Sequence, residues 1–182
     1  QVSSSSKHDH LAASLVARVT NEEAGKHKSK ADIIHSARTR LHQLTGAYLA
    51  PKLDYAQWLL NFKSLSQNDR GGLEAASLQM MRLHASTAER IEALPRFFQV
   101  TLASIAPVYS VLDLACGLNP LSIPWMPLRE GFTYHASDVV TPLVDFLGNY
   151  FELFGINGTA SIGDLSCSFP TQKVQLALLM KT

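Results

Sequence analysis

The chain has 182 residues, of which 46% are hydrophobic and 17% charged, with ten Gly and eight Pro. That predicts a packed core for one domain or one and a half, and excludes a disordered, collagen-like or low-complexity chain. Sixteen basic residues against fifteen acidic ones leave a net charge of +1, which over the whole chain gives no sign of nucleic-acid binding.

The opening stretch Gln1–His8 has no apolar segment of secretory type and reads as a frayed tail. The next residues are rich in basic groups. Lys26, His27, Lys28, Lys30, His35, Arg38, Arg40 and His42 fall within a short span that holds Asp32 as its one acid. Within it Ile34, Ala37, Leu41, Leu44 and Tyr48 recur with helical period, and Gly46 and Pro51 weaken and stop that helix. The basic row is either a solvated helix face or a row that meets a phosphate backbone. Tyr55, Trp58, Leu59 and Phe62 predict a second helix, Asn68–Gly72 a loop, and Leu73–Leu83 a further helix. In Leu83-His-Ala-Ser-Thr-Ala-Glu-Arg90, Ser86 or Thr87 can cap the following helix, or Arg90 can take a ligand carboxylate.

The pattern changes near Pro107. Val108–Ala115 is a β-rich run ending at Gly117, Phe132–Ala136 a short strand, and Pro142–Phe154 a helix. Gly155–Gly158 turns, Thr159–Ile162 is a strand, and Val174–Met180 reads as a strand buried on both faces. Strands alternating with helical spacing predict a parallel α/β sheet. The division falls at 1–96, a helical part with a net charge of +4, and 97–182, an α/β part with a net charge of −3. Overall neutrality hides that asymmetry.

Three positions in the second part carry chemistry. In Val111-Leu-Asp-Leu-Ala-Cys-Gly-Leu-Asn-Pro120 a strand runs into a small-residue loop, where Ala115 and Gly117 let a ligand approach the backbone. The loop lacks the repeated glycines that cradle a pyrophosphate, which disfavours an NAD-dependent enzyme. Asp138 ends the second strand, where a carboxylate can accept a ribose diol, and Asp164 after the third strand can read an exocyclic amine. Ribose, adenine and no phosphates indicate S-adenosylmethionine (SAM). The two cysteines, Cys116 and Cys167, read as core or loop residues of a protein in a reducing, cytoplasmic compartment, and His135 as a packed histidine. No histidine spacing suits a metal, and no apolar run approaches the roughly 18 residues of a membrane span.

Together Gly25-Lys-His-Lys-Ser29, Ala37-Arg-Thr-Arg-Leu-His42, the Leu83–Arg90 segment, Asp113-Leu-Ala-Cys-Gly-Leu-Asn-Pro-Leu121 and Leu178-Leu-Met-Lys-Thr182 resemble the aminoglycoside-resistance methyltransferases that modify N7 of guanine-1405 in 16S rRNA. The resemblance implies a Rossmann-like SAM-dependent methyltransferase sheet, incomplete here because members run on past the equivalent of Thr182, preceded by an all-helical N-terminal domain. It implies SAM held by Arg90, Ala115, Gly117, Asp138, Asp164 and Leu165, with Lys181 beside the target base. It also implies that Lys26, Lys28, Lys30, His35, Arg38, Arg40 and His42 dock on rRNA of the assembled 30S subunit. The alternatives are a non-catalytic SAM- or rRNA-binding fragment and methylation of a neighbouring decoding-site base.

Overall fold

A computed structural model describes residues 10–45, 53–65 and 69–180. The expectations placed on Gln1–His8, on Gly46, Tyr48 and Pro51, and on Asn68 lie outside the described residues. Among the described residues six helices come first: α1 (Ala13–Ala24), α2 (Lys30–Thr45), α3 (Tyr55–Lys63), α4 (Arg70–Met81), the single turn α5 (Ala85–Ala88) and α6 (Leu94–Thr101). Then follow β1 (Val108–Leu114), a 3-10 segment (Asn119–Trp125), β2 (Leu128–Asp138), α7 (Thr141–Leu153), β3 (Gly158–Ile162) and β4 (Leu176–Leu178). The strands form one parallel sheet of order β3-β2-β1-β4.

Local chemistry explains most boundaries. Asp54 caps α3 by accepting from the Gln57 amide at 3.0 Å, and Asp69 caps α4 by accepting from Gly72 at 2.8 Å. That second cap corrects the expected Asn68–Gly72 loop: Arg70, Gly71 and Gly72 are the first turn of α4. A Cβ at Gly72 would collide with the capping Asp69 carboxylate, so the glycine that reads as a loop marker is what admits the cap. β2 extends well beyond Phe132–Ala136 in both directions. β4 is shorter than Val174–Met180 and is not buried on both faces: Ala177 is exposed and Leu179 is 55% exposed. The strand pairs with β1 alone among the described residues, and no described element covers its other side.

Two apolar clusters hold these elements. In the larger, Phe62 of α3 meets Phe146, Tyr150 and Phe154 with ring centroids 6.1, 5.3 and 6.0 Å away. Met80, Met81, Leu94 and Phe98 join the same core as Val111, Tyr134 and Leu147 of the sheet layer. The smaller cluster is the α1–α2 hairpin, where Leu15, Val16 and Val19 pack on Ala37 and Leu41. The hairpin is tied to the β2–α7 loop: the Ala12 amide donates to Val139 O and the Thr141 amide to His10 O, both at 2.8 Å. Helix α1 therefore sits against the carboxyl ends of the strands.

Candidate functional site

The turn after β1 is conformationally unusual. Ala115 and Gly117 both lie in the left-handed region, with φ of 47° and 51°. A side chain at Gly117 would also press on His84, whose Cε1 would stand 3.2 Å from the added Cβ. Asp138 fixes this turn. Its Oδ2 accepts from the Gly117 amide at 2.9 Å and its Oδ1 from the Val140 amide at 3.1 Å. The carboxylate is 8% exposed, and each oxygen keeps a lone pair for a further donor.

Asp113 lies in the last part of β1 and is fully buried. Tyr134 Oη donates to its Oδ2 at 2.6 Å and Asn119 Nδ2 to the same oxygen at 2.9 Å. Oδ1 is buried and has no partner among the described residues. Burial pushes this acid up to about 7, against the pull of Tyr134, Asn119 and the Arg90 charge. Arg90 is half-buried, and its Nε is likewise buried without a partner. Desolvation lowers its pKa while Asp113 opposes that. His84 is buried and is held below the usual histidine range by desolvation.

The residues expected to bind cofactor are thus brought together at the carboxyl ends of β1, β2 and β3: Ala115, Gly117, Asp138 and Asp164, with the half-buried Leu165 beside the last. Thr87 does not cap a helix N-terminus. Its hydroxyl donates to the Met81 carbonyl at 2.7 Å and the His84 carbonyl at 3.1 Å, which folds the chain into the turn that carries Arg90. Asp164 is already engaged, by Arg18 of α1. Sequence reasoning missed Asp113, His84 and Arg18. An acid inside the apolar run Val111-Leu-Asp-Leu-Ala115 was the available signal for the first.

The basic row is largely exposed: Lys28 just before α2, and Lys30, His35, Arg38 and His42 on it, all face solvent. Asp32 is the one acid within the row, but members of the row pair with acids that precede it. Lys26 Nζ is 2.7 Å from Glu23 Oε1, and Arg40 reaches Glu22 at 3.1 Å and Glu23 at 3.3 Å. Glu22 and Glu23 belong to α1, and Arg40 comes alongside them only when the hairpin closes. Lys181 lies outside the described residues. Among the described residues no group of three or more His, Cys, Asp or Glu could hold a metal ion, and no helix is long and apolar enough to cross a membrane.

A parallel sheet of this order, with a small-residue turn after its first strand and acids after the next two, defines a Rossmann-like α/β protein. A family model described as ribosomal RNA methyltransferase (FmrO) matches residues 4–182, and the chain belongs to that family. It is 33% identical over 178 residues to a 16S rRNA (guanine(1405)-N(7))-methyltransferase of Micromonospora olivasterospora, covering 97% of this chain and 59% of that protein. The structure is similar to that of the 16S rRNA methylase RmtB, with a TM-score of 0.76 and 30% identity over 97% of this chain and 67% of the other. It is also similar to the 16S rRNA methyltransferase RmtF in complex with S-adenosyl-L-homocysteine, with a TM-score of 0.74, 28% identity and coverage of 94% and 63%. The chain thus spans about three fifths of the length of the Micromonospora relative.

Proposed function

We propose that this chain forms the cofactor-binding and RNA-docking part of an enzyme that transfers methyl from SAM to N7 of guanine-1405 of 16S rRNA. The substrate is the assembled 30S subunit in the cytoplasm, and the modification confers aminoglycoside resistance. The observation that carries this reading is the pair of buried, unpartnered polar atoms Arg90 Nε and Asp113 Oδ1 near the Ala115–Gly117 turn. A guanidinium and a carboxyl within electrostatic reach of each other suit the carboxylate and ammonium of an amino-acid head.

SAM, when bound, supplies an electrophilic methyl group on a sulfonium. Arg90 holds the cofactor carboxylate, Asp113 accepts from its ammonium, and Asp138 accepts from the ribose hydroxyls. Asp164 accepts from the adenine amine, and Leu165 packs beside it. Ala115 and Gly117 present backbone in place of side chains. Guanine N7 has a free lone pair, so no residue need remove a proton before transfer. The protein's work is to flip the base out, position it and exclude water. The family resemblance assigns Lys181 to the target base, and residues 1–96 are assigned to the RNA through the basic row, above all Lys28, Lys30, His35, Arg38 and His42.

Incubation of the intact protein with 30S subunits and SAM, read by primer extension or mass spectrometry, tests this. A methyl group at guanine-1405 N7 is the expected outcome, and an unmodified guanine-1405 refutes the proposal. Calorimetry separates the alternative: cofactor binding without transfer marks a binding module.

A further inference from the structure

Helix α1 takes no part in the sheet, yet it reaches the acid assigned above to the adenine amine. Arg18 Nε donates to Asp164 Oδ2 at 2.8 Å, and a second guanidinium nitrogen lies 3.4 Å from Oδ1. The third nitrogen donates to Glu22 at 2.7 Å, so all three are engaged. The Asp164 side chain is only 6% exposed and that of Arg18 21%, which places the pair away from bulk water. The Ser166 amide donates to Oδ1 at 3.0 Å, and the Cys167 thiol contributes a long contact of 3.6 Å to Oδ2.

This arrangement has two effects. A forked guanidinium fixes the plane of a carboxylate, which a lysine cannot do. It also keeps the carboxylate ionised: burial pushes Asp164 upward, but Arg18 and the Ser166 amide outweigh it and hold the group below the usual range. An ionised carboxylate is an acceptor only. An incoming amine can replace the long thiol contact and meet a free lone pair. A 6-oxo group at the same place would set oxygen against oxygen.

We propose that Arg18 is a positioning and specificity residue: by clamping Asp164 from outside the sheet, it makes the site select a 6-amino over a 6-oxo purine. This rests on the reading that Asp164 meets the adenine amine, and the experiment separates the two. Calorimetry compares S-adenosyl-L-homocysteine with S-inosyl-L-homocysteine on the intact protein and on Arg18→Ala, Arg18→Lys and Asp164→Ala. The unaltered protein prefers the adenosyl ligand by roughly tenfold or more, the scale of one charged hydrogen bond. Arg18→Ala loses most of that ratio by weakening the adenosyl ligand alone, and Arg18→Lys restores part of it. If Asp164→Ala removes the preference and Arg18→Ala keeps it, the clamp is refuted while the adenine reading stands. Equal weakening of both ligands by Arg18→Ala shows a merely structural role and also overturns the proposal. If Asp164→Ala keeps the preference, the adenine reading fails and the proposal falls with it. Should Arg18→Ala not fold, Arg18→Gln and Arg18→Lys carry the same comparison.

Discussion

Replacing Asp113 by Asn should change how stability depends on pH, in a direction opposite to that of most carboxylates. The folded protein holds this acid at about 7, while the unfolded chain returns it to the ordinary carboxylate value of 3.8. Between these values the native state binds more protons than the unfolded state, so stability falls as pH rises. For one such group the difference between pH 5 and pH 8 is about 2.5 kcal/mol, with the protein more stable at pH 5. The cause is local: Asp113 is sealed at the end of β1, both donors serve Oδ2, and Oδ1 has none. Urea unfolding at the two pH values, in the intact protein and in Asp113→Asn, isolates the contribution because His84 and the other titrating groups are common to both. The variant should lack most of that difference. Equal pH dependence in the two proteins would refute the reasoning, because Asp113 would then be an ordinary, ionised carboxylate.

Arg90→Ala should abolish measurable SAM binding with circular dichroism unchanged, since its Nε has no partner in the fold to lose. Lys28→Glu with Lys30→Glu should weaken 30S binding and lower its salt slope by about two while SAM affinity is unchanged. Arg40→Ala should instead lower the melting temperature, because that side chain holds Glu22 and Glu23. Phe62→Ala removes the ring at the centre of the α3–α7 contact and should cost about 3–5 kcal/mol in urea unfolding.

Elements with a strong local period were legible in the chain. The helix expected over Pro142–Phe154 and the strand over Thr159–Ile162 lie within a residue of α7 and β3, because their apolar residues repeat with the right spacing. Helix α1 was not singled out. It has no capping side chain and no acid in its first turn, and it is held by packing on α2 and the β2–α7 loop instead. The Asn68–Gly72 reading failed for a related reason: two glycines outweighed one aspartate in the sequence, whereas the Asp69 cap and the burial of Met80 and Met81 decide the fold. Within the site, Asp138 and Asp164 were legible because chain order alone puts them at strand ends. Arg18 was not, since its partner lies 146 residues away.

The α2 row shows where charge counting along a chain breaks down. Counted locally, it holds one acid among eight basic or titratable groups. In the folded hairpin Glu22 and Glu23 of α1 stand against Lys26, His27 and Arg40. Glu23 is drawn below the usual carboxylate range by hydrogen bonds from Lys26 and Ser36. These acids do for one edge of the row what Asp164 does for Arg18: they convert cations that seem available for RNA into fasteners of the hairpin. Glu22 belongs to both sets, bonded to Arg18 on one side and to Arg40 on the other. A continuous run of ion pairs therefore joins the acid assigned to the cofactor with the helix assigned to the RNA. Beside that run Lys28, Lys30, His35, Arg38 and His42 stay exposed, so the surface proposed for RNA is narrower than the full row read from the sequence.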